Sequence, residues 1–164
     1  VVAMKRSAPI YTLLGILEDS RSNSQEAEKH YRQALDLAPD SPIAANNLAW
    51  LIAENGGNLD EALQLASASV AKSPTVAGFY DTLGWVYLKK GLYSPAVEQL
   101  RKAIAIDEKS GKQASAGYRV RLATALSMAG DKASAKREAE TSLRVESELS
   151  QQEVVDAKKV LASL

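Results

Sequence analysis

Apolar and small residues recur along this chain at the three- and four-residue spacing of one helix face, in blocks separated by short polar stretches. Ala27, Tyr31, Ala34 and Leu35 make one such face, preceded by the polar turn Arg21-Ser22-Asn23-Ser24. The blocks pair into hairpins, and the hairpins repeat. A small residue in the middle of each first helix falls at Gly15, Ala49, Gly84 and Ala123, in steps of 34, 35 and 39 residues. A second series near the start of each second helix, Ala27, Ala62, Ala96 and Ala135, steps by 35, 34 and 39. A helix pair of this length cannot bury its apolar face alone, so several must stack. The pattern therefore predicts an all-α fold: an α-solenoid of four hairpins over about 8–41, 42–76, 77–110 and 116–149. A capping helix over about 150–164 closes this single domain.

Local signals set the expected helix boundaries. Helix 1A runs from about Pro9 to Asp19, opened by Ser7 and Pro9, and helix 1B ends near Leu37. Ser41 is placed to cap helix 2A, about Ile43 to Glu54, with Pro42 at its start. Asn55-Gly56-Gly57-Asn58 ends it, and Asn58 with Glu61 has the spacing of a capping box for helix 2B, Leu59 to Lys72. Helix 3A spans about Ala77 to Lys90, and helix 3B runs from Ser94-Pro95 to about Asp107. The residues behind the 39-residue step, Glu108 to Gln113, form a longer loop or an extended helix 4A, which reaches Ala129. Helix 4B continues to about Glu146. Ser150-x-x-Glu153 is a second capping box, opening a helix whose apolar set is Val154, Val155, Val160, Leu161 and Leu164. Val2, Ala3 and Met4 suggest the end of a preceding helix.

These residues resemble the tetratricopeptide repeat family, whose pattern is a large residue, Leu-Gly, an aromatic, then Ala, an aromatic and Pro. Repeat one reads Tyr11, Leu14-Gly15, Glu18, Ala27, Tyr31, Ala34, Pro39. Repeat three reads Tyr80, Leu83-Gly84, Tyr87, Ala96, Leu100, Ala103, with Glu108 in place of the proline. Repeat two keeps Leu48, Ala62 and Pro74, and repeat four keeps Leu122-Ala123, Leu126, Ala135 and Ala139 without an aromatic. The small residues mark where each first helix meets its own second helix, and a side chain larger than methyl would force the axes apart. Asn46 to Trp50 and Asp81 to Trp85 further resemble paired motifs of bacterial envelope-associated members, including those linked to exopolysaccharide and protein sorting.

Composition narrows the chemistry. Twenty basic and twenty acidic side chains cancel, which argues against a phosphate-backbone binder and predicts no nucleic-acid partner. No window supports membrane insertion of this segment. The absence of cysteine excludes disulfides and thiolate zinc sites. His30, the sole histidine, is expected on the solvated side of helix 1B; alone it assembles neither a zinc site nor a triad. Glu26 with Glu28, Glu138 with Glu140, and Glu146 with Glu148 stand two residues apart and point to different sides of a helix. Gly56-Gly57 lacks the lysine and spacing of a phosphate loop, and Lys132, Lys136 and Arg137 form a modest solvated basic face. No catalytic residue, metal ligand or cofactor site emerges, so the expectation is a non-enzyme.

The resemblance implies that first helices line a concave groove. It places Thr12, Leu13 and Ile16 there in repeat one, and Val120, Arg121 and Thr124 in repeat four. Asn46, Asn47, Trp50, Asp81, Thr82, Trp85 and Arg121 form the expected binding surface. The two tryptophans lie 35 residues apart at equivalent places, either as inter-repeat core or as an aromatic platform beside amides. The chaperone-tail version of the fold grips a carboxylate with lysines, asparagines and an arginine. Here Thr12 and Ile16, then Gly78 and Thr82, stand where several of those belong, which disfavours such tails. The expected function is a non-catalytic interaction module that binds a protein or peptide segment. The alternative is a structural spacer or self-associating segment of a larger envelope protein, which leaves homo-oligomers open. Val1-Val2 without an initiator methionine predicts excision from a longer protein, with a cytoplasmic or an envelope location equally open.

Overall fold

The computed structural model describes residues 7–163, so the expectations for Val2, Ala3, Met4 and Leu164 lie outside the described residues. Among the described residues the elements are helical, and they fall into two compact units, one up to Pro74 and one from Thr75 onward.

The first unit holds two hairpins: α1 (Ala8–Ser20) with α2 (Ser24–Leu37), and α3 (Pro42–Glu54) with α4 (Leu59–Lys72). Pro42 sits at the start of α3, where a missing N–H leaves nothing unsatisfied. Gly56 ends the following turn at φ +69°, a left-handed conformation that a side chain would strain. Asn58 caps α4 by accepting from the amides of Asp60 at 3.0 Å and Glu61 at 3.2 Å. The reciprocal half of that capping box is absent. The Glu61 carboxylate instead takes Arg32 of α2, at 2.6 and 3.2 Å, because a guanidinium offers it a charge-assisted fork. Ser7 and Ser41 occupy cap positions, yet neither side chain makes the capping bond.

Tyr31 shows why a glycine is needed opposite. It is fully buried, and a Cβ built on Gly15 would stand 2.5 Å from its Cε1. Burying such a ring stabilises by roughly 1.5–3 kcal/mol, and only a bare α-carbon lets α1 approach it. Ala44, Leu48, Ala49, Leu51 and Ile52 of α3 and Ala62 and Ala66 of α4 are buried in this unit's core with Ala27 and Ala34.

The second unit comprises α5 (Ala77–Lys89) with α6 (Tyr93–Lys109), α7 (Ala116–Met128) with α8 (Lys132–Leu143), a 3-10 turn (Glu146–Glu148), and α9 (Gln151–Ala162). The extra residues of the 39-residue step divide differently from either expectation. Two of them prolong α6 to Lys109, and the rest form a loop before Ala116. Glu108 thereby reaches Arg119 at 2.7 Å, and Arg119 also holds Glu138 of α8 at 2.8 Å. Helix α8 stops at Leu143, short of Glu146.

The core of this unit gathers Ala96, Leu100, Ile104, Leu122, Ala123, Leu126, Ala135, Ala139 and Val160. Helix α9 opens with a complete Ser150–Glu153 capping box and rests on α7 and α8. Val160 and Ala157 are its buried residues, whereas Val155 of the expected apolar set faces solvent.

Candidate functional site

The seven residues expected to bind a partner all lie on first helices of hairpins, three in the first unit and four in the second. Asn46, Asn47 and Trp50 sit on α3, each partly buried. Asn46 Nδ2 donates to Asn47 Oδ1 at 3.2 Å, and Asn46 Oδ1 is buried with no hydrogen-bond partner among the described residues. Burial and the charge of Asp19 push the pKa of the Tyr31 phenol up to about 12, against a lowering influence from the Asn47 side chain. Beside them α1 presents Leu13, 66% exposed, and Ile16, 41% exposed. By repeat spacing these hold the places of Asn47 and Trp50. Thr12 is buried, its hydroxyl donating to the Ala8 carbonyl at 2.9 Å.

His30 departs from its expected solvated position. It is partly buried, its ring stacked on Tyr11 with centroids 6.0 Å apart, and its Nδ1 lies 3.0 Å from Gln33 Oε1.

In the second unit, Asp81 is 5% exposed and Thr82 3% exposed. The Thr82 hydroxyl donates to the Gly78 carbonyl at 3.1 Å, satisfying itself within α5. Neither side chain is presented to a partner as expected. Asp81 is instead gripped by Arg121, whose Nε donates to Oδ1 at 2.8 Å and Nη2 to Oδ2 at 2.9 Å. A third bond runs from Arg121 Nη1 to Glu153 Oε1 on α9 at 3.1 Å. One guanidinium thus ties α5, α7 and α9 together. Trp85 is partly buried, with the Lys89 ammonium 4.5 Å from its ring centroid.

Electrostatics divide the two carboxylates. Burial pushes the Asp81 carboxyl up, against the opposing pull of Arg121. Burial acts upward on Glu153 too, but hydrogen bonds from Ser150 and the Arg121 charge outweigh it and hold that carboxyl below its ordinary value. Two residues of this network had no place in the expected site. Glu153 was legible as a cap but not as a partner for Arg121. Gly117 admits the network: a Cβ there would stand 2.4 Å from Glu153 Oε1 and 3.1 Å from Arg121 Nη2. The available signal was the recurrence of glycine at 78 and 117, one repeat apart in the first turn of a helix, where glycine is costly.

Among the described residues, no cluster of His, Cys, Asp and Glu is placed to hold a metal ion. No helix there is long and apolar enough to cross a membrane.

Residues 12–77 and 77–110 each match a sequence model of the tetratricopeptide repeat. The chain belongs to the tetratricopeptide repeat family. A thermophilic tetratricopeptide protein of Thermus thermophilus, TTC0263, has a similar fold, with a TM-score of 0.80 and 18% identity over 96% of this chain and 82% of that one. The TPR2B domain of yeast Sti1, solved as a complex with pHsp70, gives a TM-score of 0.65 and 22% identity over 72% of this chain and 94% of that one. Among curated proteins, a probable biofilm formation methyltransferase of Pseudomonas putida, WspC, is 46% identical over 50 residues. That match takes in 30% of this chain and spans only 12% of the relative's length. The tetratricopeptide fold is generally non-catalytic and commonly serves as a protein–protein interaction scaffold.

Proposed function

We propose that this tetratricopeptide chain is a non-catalytic module that holds a protein or peptide segment against its first helices. One observation carries the reading. On α1 and α3 of the first unit, well-exposed Leu13 and Ile16 stand at the same repeat positions as Asn47 and Trp50. Exposed apolar side chains beside amides suit an extended segment that offers both apolar side chains and backbone polar groups. The Sti1 complex with pHsp70 is a further support at the level of fold. In the second unit, Trp85 is the remaining candidate contact, since Asp81 and Arg121 hold each other.

The test begins with peptides selected from a random display library against the chain, followed by calorimetric titration of the enriched sequence. Leu13→Asp, Ile16→Asp and Trp50→Ala should each weaken binding by about tenfold or more, as hot-spot losses of ~2 kcal/mol imply. Equal affinity for all three variants and the parent rejects the surface.

A second reading draws on the match to WspC. A short repeat segment similar to part of a protein named as a methyltransferase fits a recognition appendage whose chemistry lies elsewhere in a longer chain. Attaching and removing the segment from the full-length protein, with turnover measured on both forms, separates recognition from catalysis.

A further inference from the structure

Glu153 does two jobs with one carboxylate. Its Oε2 accepts from the Ser150 amide at 2.9 Å and the Ser150 hydroxyl at 2.9 Å, while Glu153 N donates back to Ser150 Oγ at 3.3 Å. Those bonds start α9. Its Oε1 accepts from Arg121 on α7, which anchors α9 to the rest of the unit. A helix of 12 residues is marginal in water by itself, because nucleation is costly and few bonds follow. Besides this carboxylate, α9 is held through a short apolar face: Ala157 and Val160 are buried, and Leu161 packs partly buried against the same core.

We infer that α9 forms only when docked, so that it acts as a detachable cover over the face of α7 and α8. The group that nucleates the helix is the group that attaches it, and losing either interaction weakens the other. Gly117 is the positioning residue, since it leaves open the space that the Glu153 carboxylate occupies between α7 and α9. Release of α9 uncovers the apolar surface that Val160 shares with Leu122, Leu126 and Ala139. That surface is the kind an amphipathic helix covers.

Hydrogen–deuterium exchange of the full chain, resolved by peptide mass spectrometry, tests this. Amides of α9 should exchange at least tenfold faster than those of α7 and α8, through an opening of their own. Glu153→Gln should speed α9 exchange by about a further tenfold. Gly117→Ala should do the same to α9 while leaving α7 no faster, since alanine is the better helix former. A glycine that plays no part in placing Glu153 would leave α9 exchange unchanged. Exchange of α9 in one step with α7 and α8, or an unchanged α9 in Gly117→Ala, overturns the inference. So does a loss of protection spread evenly over α5 to α8 in that variant. Should Glu153→Gln fail to fold, Gly117→Ala decides alone.

Discussion

Gly84 on α5 meets Leu100 on α6 with no room between them for a methyl group: a Cβ built on the glycine would lie 2.6 Å from Leu100 Cγ. The fourth repeat has Ala123 and Ala139 at the corresponding places, a different division of the same space. Gly84→Ala should therefore destabilise by about 1–3 kcal/mol through overpacking. Leu100→Ala should cost about 2–5 kcal/mol through the cavity it leaves. The double variant should cost less than the sum, because the new methyl enters the vacated volume. Urea denaturation of the four proteins checks it; strict additivity would show that the two residues do not share that space.

The two expected caps differ in what they do. Asn58→Ala removes an oxygen that accepts from two amides and should cost about 1 kcal/mol. Ser41→Ala removes a side chain that makes no capping bond, so the melting curve should stay within experimental error of the parent. Thermal unfolding of both variants compares them directly.

Arg121 satisfies two carboxylates at once, and its own side chain is only 14% exposed. Arg121→Leu strands Asp81 and Glu153 and should cost about 3–5 kcal/mol at neutral pH. Part of that loss should return at about pH 4, where the stranded carboxyls take up protons. A deficit that is the same at both pH values would count against the pairing as its source.

Acid should act on α9 before it acts on the contact between α5 and α7. Glu153 is lowered from 4.5, so its stabilising share is complete above that value and is lost as pH falls below it. Asp81 is raised from 3.8, so its share has the opposite sign: complete below that value and lost as pH rises through the folded one. Amide exchange at about pH 3.5 and pH 6, corrected for intrinsic rates, should show protection falling in α9 while α5 holds.

Periodicity made the architecture legible because it needs only residue size and spacing. Gly15 against Tyr31 and Gly84 against Leu100 are the contacts that the small residues implied, and the Ser150 cap followed from four residues in a row. What escaped was the fate of polar side chains. Asn58 and Glu61 have capping-box spacing, but Arg32 from 29 residues away takes the carboxylate. Asp81 and Arg121 both stand at first-helix positions, and nothing local reveals that a 40-residue separation brings them within hydrogen-bonding distance of one another. Thr82 turns its hydroxyl back on its own helix, an option open to any helical threonine. Apolar patterns are summed over many residues, whereas a polar outcome is decided by one competing partner.

The two residues that prolong α6 bear on any attempt to transplant the third hairpin. A module cut to a uniform 34 residues from Ala77 would part Glu108 from Arg119, which would keep only its second anchor, Glu138 of its own hairpin. Chimaeras joined inside the loop before Ala116 would carry half a clasp on each side of the seam. Donor and recipient segments exchanged there would have to supply the missing half, or the junction would be left with orphaned charges.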